Sequence, residues 1–333
     1  MKSILLSNAK GELLRVYTAE TLSKLQAVAD LDLTPYDKQD VLDDPQAFRD
    51  VQYVFSTWGM PGFTEEEIKT YLPNLKCVFY AAGSVQHFAR PFLNCGVKVF
   101  SAWAANGVPV AEYTVAQIVL ANKGFFVNTK LASSAQRAAA IKQYQNYTGN
   151  YEVKIGIIGA GMIGKMVIER LKNYHMEIFV FDPFLPEETA QKIGVKKVTL
   201  DELFASCRVV SNHLANNAQT QGMLTGAHFE KMLPYATFIN TGRGAQVVER
   251  EMLAVLKKRP DLTAVLDVTW PEPPEEGSDF YKLENVFLTS HIAGSMGNEV
   301  HRMSEYMLAE FEKHVAGQNT QYEVTMKMLE TMA

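Results

Sequence analysis

The sequence has few cysteines, no cluster of basic residues and no uninterrupted apolar run long enough to cross a bilayer. Its three cysteines, Cys77, Cys95 and Cys207, are scattered, which argues against a disulfide framework and favours a cytoplasmic protein. The formal net charge is −5, and without clustered Lys or Arg we expect neither nucleic acid nor a membrane as a partner. Residues 108–127 are apolar but contain charged and amide side chains, so we do not expect them to span a membrane. No metal site is predicted.

The composition is that of a globular protein large enough for two domains. The chain has 333 residues, of which 47% are hydrophobic and 21% are charged, as in soluble globular proteins. Residues 1–7 contain an apolar run too short for a signal peptide and predict a first strand. Buried strands are predicted at 51–55, 76–80 and 97–100, and Thr64 begins a capping box for a helix after the first of them. Alternating strands and helices predict a parallel sheet covered on both faces.

A long helical stretch separates this first series from a second. A helix is predicted to begin near Pro109, a residue suited to the first helical turn, and to run to about Phe126. A second helical piece is predicted at 131–144, and a new series of strands begins at 153–158. Residues 297–315 are again predicted to be helical, with their apolar side chains in the core. No internal repeat of solenoid length is present.

The strand at 153–158 leads into the pattern Gly-x-Gly-x-x-Gly. Gly159 would permit a tight turn, Gly161 would let the backbone approach a pyrophosphate, and Gly164 would let the following helix pack close to the strand. The N–H groups at the helix start, at Met162 and Ile163, would then hold the anion, aided by the helix dipole. A glycine-rich surface turn could have the same sequence pattern. The strand before and the helix after it favour a dinucleotide site.

An acid follows at the expected distance from the glycines. Asp182 comes after a second predicted strand, at 177–181, where an acidic residue can bind the ribose hydroxyls of the adenosine. Its charge would repel a 2′-phosphate, and the next residues, Pro183 and Phe184, offer no cation to bind one. The sequence therefore favours NAD over NADP.

Three catalytic candidates each follow a predicted strand. Arg243 comes after a strand that begins at Phe238, Glu272 comes after the strand at 264–268, and His291 ends a strand that begins at Val286. Taken singly, an Arg in a turn, a Glu in an acidic loop or a lone His is more often a surface or structural residue. Their succession is what favours a site, because the carboxyl ends of parallel strands meet at one edge of the sheet.

This set of residues suits the reduction of a 2-keto acid. The guanidinium of Arg243 can bind a carboxylate through two parallel hydrogen bonds. The imidazole of His291, held by Glu272, can deliver a proton to the carbonyl oxygen, because imidazole titrates close to neutral pH. A nicotinamide would carry the hydride. The sequence thus predicts a redox enzyme.

Over nearly its whole length the chain resembles the D-isomer-specific 2-hydroxyacid dehydrogenases, which include phosphoglycerate, glyoxylate/hydroxypyruvate, D-lactate and formate dehydrogenases. The motifs that carry the resemblance are the segments 157–164, 238–244, 266–273 and 290–295. The resemblance implies Arg243 as the carboxylate-binding residue and Glu272 paired to His291, the acid/base.

The resemblance implies further contacts. It places Thr241 and Asp267 near the nicotinamide and His213 in a cofactor-binding segment, although this segment has Ala215 where the family usually has Pro. The family's substrate loop appears here in altered form, and its backbone N–H groups could still hold a carboxylate. That loop contributes three substrate-binding candidates: Gly83, Ser84 and Val85.

The family architecture implies two doubly wound α/β domains, with a Rossmann cofactor domain inserted in a flavodoxin-like substrate domain. The expected bounds are 1–103 with 296–333 for the substrate domain and 104–295 for the NAD-binding domain. The helical arm that leads into the cofactor domain commonly forms a homodimer in the family.

The resemblance implies an NAD-dependent dehydrogenase that interconverts a 2-keto acid and a D-2-hydroxy acid. The loop at 56–61 has no Arg or Lys, which disfavours phosphoglycerate, and its Trp58 fits either a substrate-shaping or a core role. Two alternatives stay open from the sequence. One is an NAD(H)-sensing interaction protein on the same scaffold, and the other is an enzyme of different chemistry that retains bound NAD.

Overall fold

The computed structural model describes residues 1–330 and divides them into two compact units. The first unit comprises Met1–Gly107 and the described chain from Ser295 onward, and the second comprises Val108–Gly294. The second unit is therefore inserted in the first. The sequence had placed the boundaries after residues 103 and 295, but a single helix runs through the first boundary. Within residues 1–330 no helix combines the length and hydropathy needed to cross a bilayer.

The first unit contains a six-stranded sheet. Its strands are β1 (Lys2–Leu6), β2 (Asp30–Tyr36), β3 (Tyr53–Ser56), β4 (Cys77–Tyr80), β5 (Lys98–Ser101) and β13 (Glu323–Val324). Its helices are α1 (Lys10–Val16), α2 (Ala19–Val28), α3 (Lys38–Asp43), α4 (Pro45–Phe48), α5 (Glu65–Tyr71), α6 (Ala89–Asn94), the start of α7 (Trp103–Ala121) and, late in the chain, α15 (His301–Val315). The strand order is β13-β5-β4-β3-β1-β2, parallel except for β13. Without β13 this is the flavodoxin-like order.

The second unit contains a seven-stranded parallel sheet. Its strands are β6 (Val153–Ile158), β7 (Met176–Phe181), β8 (Lys196–Lys197), β9 (Val209–Asn212), β10 (Thr237–Asn240), β11 (Thr263–Leu266) and β12 (Val286–Leu288). Its helices, after the rest of α7, are α8 (Phe125–Ser133), α9 (Arg137–Tyr144), α10 (Met162–Leu171), α11 (Glu187–Ile193), α12 (Leu200–Ser206), α13 (Gly226–Glu230) and α14 (Glu249–Lys258). The order β12-β11-β10-β9-β6-β7-β8 is that of a Rossmann sheet, with its reversal between β6 and β9.

Alternate residues of the second sheet enter two separate cores. Phe238 and Val210 belong to one buried cluster, whereas their neighbours Ile239 and Val209 belong to the other. A strand points successive side chains to opposite faces, so both faces of this sheet are covered by apolar helices. The predicted fold class, two doubly wound parallel sheets, is confirmed.

The prediction for the helix at Pro109 was wrong. This residue lies inside α7, which begins six residues earlier at Trp103. A proline inside a helix removes one backbone hydrogen bond, yet Ala104 and Ala105 before it are buried, and their packing outweighs that loss.

Other helix bounds also differ from the predicted ones. Helix α7 ends at Ala121 rather than near Phe126, because Gly124 adopts a left-handed conformation against the ring of Tyr147. The piece predicted at 131–144 is split into α8 and α9 near Ala135, which has a φ of 60°. The stretch from 297 begins as a 3-10 turn, Gly297–Val300, before α15.

Candidate active site

The glycine turn after β6 has the geometry that its sequence predicts. Gly159 has a φ of +89°, a conformation that side chains rarely tolerate. A Cβ on Gly164 would lie 2.0 Å from the carbonyl oxygen of Gly159, so only glycine allows α10 to pack this close. A Cβ on Gly161 would meet no atom within 4 Å. The space in front of Gly161 is therefore open, as the approach of a ligand requires.

The N-terminus of α10 offers free donors to that space. Its N-cap is Gly161, which provides no side-chain cap, and the half-buried Met162 and Ile163 begin the helix. The first N–H groups of a helix lack intrahelical partners and attract anions. The backbone of this turn can therefore hold a phosphate group.

Asp182 follows β7 and holds the glycine turn from the side. One carboxylate oxygen accepts the N–H of Ala160 at 2.7 Å, and the other accepts the N–H of Phe184 at 2.8 Å. Each carboxylate oxygen has a second lone pair. Asp182 can thus order the turn and still accept hydrogen bonds from hydroxyl groups of a ligand.

His213 follows β9, the strand on the other side of β6. Its backbone N–H donates to the carbonyl of Ile158 at 2.7 Å, and its Nε2 lies 2.9 Å from the hydroxyl of Ser211. The residue is half-buried, and burial lowers the pKa of His213 to about 4. Its Nδ1 is buried without a hydrogen-bond partner within residues 1–330. A buried, unpaired ring nitrogen is a group that a ligand can satisfy.

Arg243 lies in the turn after β10. Its Nη1 donates to the carbonyl of Gly242 at 2.7 Å, which leaves the other guanidinium donors of this half-buried side chain for a ligand. Burial lowers the pKa of Arg243, and the nearby Glu272 carboxylate acts in the opposite direction. The guanidinium is therefore close enough to Glu272 for the two charges to interact.

Glu272 and His291 form an ion-pair contact. Nδ1 of His291 lies 2.9 Å from Oε1 of Glu272, and the two side chains are 46% and 39% exposed. This contact orients the ring, leaving Nε2 as the nitrogen directed away from the carboxylate. An ion pair this exposed adds little stability, so its geometry is of interest for chemistry rather than for folding.

The turn at His291 is held by Asp267. The hydroxyl of Thr289 and the N–H of Ile292 donate to one oxygen of this buried carboxylate, at 2.6 and 2.8 Å, and the N–H of Ala293 donates to the other at 3.0 Å. These bonds hold a turn directly after β12. The strand ends at Leu288 and not at His291 as predicted. They also hold His291 at a φ of 61°, a strained conformation that is common at functional sites.

Thr241, the other residue predicted near the nicotinamide, is buried beside α7. Its hydroxyl lies 3.1 Å from the hydroxyl of Thr114. The structure therefore places Thr241 at the carboxyl end of β10, between α7 and the Arg243 turn.

Two contacts that the sequence did not reveal join the segment 244–249, which follows Arg243, to the Glu272 loop. A Cβ on Gly244 would lie only 2.1 Å from the backbone of Thr269. Oε1 of Glu249 accepts the N–H of Trp270 at 2.9 Å, and burial raises the pKa of Glu249 to about 7. Glu249 was overlooked because it lies at the start of a helix, where acidic residues are common.

The substrate-loop candidates lie in the first unit, after β4. The hydroxyl of Ser101 donates to the carbonyl of Gly83 at 2.7 Å, while Ser84 is exposed and Val85 is buried. Within residues 1–330 no group accepts a hydrogen bond from the N–H of any of these three residues. The loop therefore has backbone N–H groups that a ligand could bind, and their contact with a substrate stays a prediction.

The order of strands in the second sheet explains which candidates meet. Adjacent strands β6, β9, β10, β11 and β12 are parallel, and each candidate segment follows one of their carboxyl ends. The glycine turn, His213, Arg243, Asp267 and His291 consequently share one edge of this sheet, beside the strand-order reversal where such folds bind ligands. Helix-terminal N–H groups, a guanidinium and an imidazole therefore follow neighbouring strand ends at this edge of the sheet.

Comparison with known proteins identifies the second unit. Residues 124–293, about half the chain, match the family described as "D-isomer specific 2-hydroxyacid dehydrogenase, NAD binding domain". The open space at Gly161, the uncapped start of α10 and the unpaired Nδ1 of His213 fit a nicotinamide dinucleotide.

Sequence relatives share part of the chain. A D-3-phosphoglycerate dehydrogenase of Archaeoglobus fulgidus is 32% identical over 203 residues, which are 60% of this chain and 37% of the relative. A glyoxylate reductase of Korarchaeum cryptofilum is 33% identical over 160 residues, 48% of each chain. The chain thus spans about a third to a half of these relatives in length.

A solved structure resembles nearly the whole chain. The D-mandelate dehydrogenase of Rhodotorula graminis aligns with a TM-score of 0.82 and 18% identity, covering 97% of each chain. At this identity the match shows the shared two-domain fold. The family match, the strand orders and the glycine turn agree, and the chain belongs to the D-isomer-specific 2-hydroxyacid dehydrogenases, with their NAD-binding domain at residues 124–293.

Proposed function

We propose that this protein is an NAD-dependent oxidoreductase that interconverts a 2-keto acid and a D-2-hydroxy acid. The observation that carries the proposal is the 2.9 Å contact between His291 and Glu272. It lies at the same edge of the same sheet as the glycine turn. The phosphoglycerate dehydrogenase and glyoxylate reductase to which the chain is similar support the same reaction class.

The dinucleotide is held by groups of the second unit. The N–H groups of Met162 and Ile163 would hold the pyrophosphate, and Asp182 would accept hydrogen bonds from the adenosine ribose. His213, Thr241 and Asp267 would contact the nicotinamide. The negative charge of Asp182 and the lack of a cation in the next two residues favour NAD over NADP.

The acid/base is His291. In the reduction its imidazolium donates a proton from Nε2 to the carbonyl oxygen, while Glu272 on Nδ1 holds the ring and stabilises its positive charge. When bound, the nicotinamide would supply the hydride that the carbonyl carbon accepts. Proton delivery of this kind is typically worth about 10²- to 10⁴-fold in rate.

Arg243 of the second unit binds the carboxylate of the substrate, because its guanidinium can provide a bidentate, charge-assisted contact. In the first unit, the backbone N–H groups of Gly83, Ser84 and Val85 are neutral donors that suit the same kind of ligand. The segment 56–61 carries no Arg or Lys, so a phosphate tail has no cation there. We therefore propose a small or weakly charged 2-keto acid as substrate.

The domain assignment and the oligomeric state that we propose follow from the same family resemblance. Met1–Gly107 and the described chain from Ser295 onward form the substrate domain, and Val108–Gly294 form the NAD-binding domain. Helices α8 and α9 form a homodimer arm, which is supported by the exposed apolar side chains Phe125, Ile141 and Tyr144. All three cysteines are free thiols, which suits the cytoplasm.

Steady-state oxidation of NADH with a panel of 2-keto acids tests the proposed reaction. We expect turnover with at least one small acid, and we expect His291→Ala to lower kcat by about 10²-fold or more with NADH affinity nearly unchanged. Tight NADH binding without turnover on any acid would contradict the proposal and indicate a binding protein instead.

A further inference from the structure

Three amide side chains form a buried cluster beneath the Arg243 turn. The amide cluster consists of Asn212, Asn240 and Gln246, each at most 1% exposed. Nδ2 of Asn212 donates to Oδ1 of Asn240 at 3.0 Å and to Oε1 of Gln246 at 2.6 Å. Buried amides are costly unless their donors and acceptors are satisfied, so the cluster calls for an explanation.

On one side the amide cluster binds the backbone of the Arg243 turn. The N–H of Gly242 donates to Asn240 at 3.0 Å, and the N–H of Arg243 donates to Oε1 of Gln246 at 3.2 Å. Nδ2 of Asn240 in turn donates to the carbonyl of Arg243 at 3.2 Å. A Cβ on Gly242 would lie 3.0 Å from Gln246 Oε1, so the turn rests directly on the amides.

On the other side the amide cluster binds the loop that follows His213. Nε2 of Gln246 donates to the carbonyls of Leu214 and Ala215, at 2.8 and 3.0 Å. Oδ1 of Asn212 accepts the N–H of Leu214 at 3.3 Å. Two carbonyl oxygens facing one end of the Gln246 amide require the nitrogen there, which fixes its orientation.

We infer that Gln246 is a positioning residue that holds the Arg243 turn and the loop 213–215 in one fixed relation. It is the side chain that bonds both segments through the two ends of a single amide. This inference rests on the proposed function, in which Arg243 binds the acid and His213 lies on the cofactor. Gln246 touches neither ligand and acts through these two segments.

Gln246→Met tests the inference, since methionine has a similar length and no hydrogen-bonding amide. We expect the NADH dissociation constant and the KM for the 2-keto acid each to rise about tenfold. Peptides covering 213–216 and 242–245 should exchange their amide hydrogens about tenfold faster in the protein without ligand.

Asn285→Leu is the matched control. Asn285 is also a buried amide of the second unit and donates to the carbonyls of Leu256, Arg259 and Leu262. We expect it to lower the melting temperature as Gln246→Met does but to leave NADH affinity, KM and exchange at 213–216 within about twofold of wild type.

Equal effects of the two variants, or no change in affinity and local exchange for Gln246→Met, would overturn the inference. If Gln246→Met does not fold, Gln246→Asn is tested instead, because its shorter amide cannot reach both segments. We expect Gln246→Asn to raise the NADH dissociation constant, the KM and the local exchange rate several-fold. A wild-type protein that reduces no 2-keto acid refutes the proposed function alone, because the NADH titration and hydrogen exchange still test Gln246.

Discussion

Alanine substitutions at two glycines of the same turn should affect different properties, stability at Gly164 and ligand binding at Gly161. A Cβ on Gly164 would lie 2.0 Å from the Gly159 carbonyl oxygen and 3.1 Å from its carbon, both rigid backbone atoms. A Cβ on Gly161 would meet nothing, and its φ of −67° is ordinary for alanine. Gly164→Ala should therefore lower the stability of the fold, whereas Gly161→Ala should weaken only the binding of the ligand.

The expected magnitudes follow from these contacts. Overpacking against backbone costs about 3 kcal/mol, which lowers the melting temperature of a unit this size by about 6–12 °C for Gly164→Ala. Gly161→Ala should change stability by less than about 0.5 kcal/mol. It should raise the NADH dissociation constant at least about tenfold, equivalent to ~1.4 kcal/mol, because the methyl group occupies the approach of the pyrophosphate.

Thermal melting and NADH fluorescence titration of the two variants measure both effects. Each variant serves as the control for the other, since both add the same methyl group to the same turn. If Gly161→Ala binds NADH like wild type, the pyrophosphate does not lie against this turn. If Gly164→Ala melts at the wild-type temperature, the packing of α10 on β6 is not as close as described.

Four other substitutions test separate parts of the site. Arg243→Lys should lower kcat/KM for the 2-keto acid about 10²-fold in steady-state assays, because an ammonium cannot form the bidentate contact; a mild effect would exclude that contact. Asp182→Ala should narrow the preference for NAD over NADP about tenfold in kcat/KM, and an unchanged ratio would assign the selection to another residue. Asp267→Asn should lower the free energy of unfolding by about 1–3 kcal/mol in urea titrations, because the His291 turn loses part of its acceptor; wild-type stability would show that other bonds hold this turn. Burial raises the pKa of Glu249 above its ordinary 4.5 to about 7, so the folded state keeps a proton that the unfolded chain releases, and stability falls as pH rises between these values. Glu249→Gln should therefore be more stable than wild type at pH 8, on the order of 1 kcal/mol after solvent screening, and the gain should shrink toward pH 5; the same difference at both pH values would contradict this titration.

Local sequence patterns were sufficient to predict the glycine turn. The spacing of Gly159, Gly161 and Gly164 reflects constraints within a single strand–turn–helix unit, and the structure shows the steric reason for the first and last of them. The capping box at Thr64 was equally local, and its two hydrogen bonds are present. Such features are readable because all the atoms involved lie within a few residues of each other.

Features that depend on packing between residues distant in the chain could not be predicted from local sequence patterns. Pro109 looked like a helix start, but burial of the residues before it extends α7 to Trp103. The amide cluster joins positions 212, 240 and 246 through three side chains that follow no sequence pattern. Strand order also arises from the pairing of distant segments, and it was predicted through the family resemblance rather than through a local pattern. It places the turn of His291 on the same edge of the sheet as the glycines.

The stereochemistry of hydride transfer tests the proposed reaction most directly. Wild-type protein would be incubated with NADH deuterated at C4 of the nicotinamide, on the face that is transferred, and with a 2-keto acid that it reduces. We expect the 2-hydroxy acid to be the D enantiomer with deuterium at C2. An L product, or a product without deuterium at C2 from NADH labelled on either face, would contradict the proposed function.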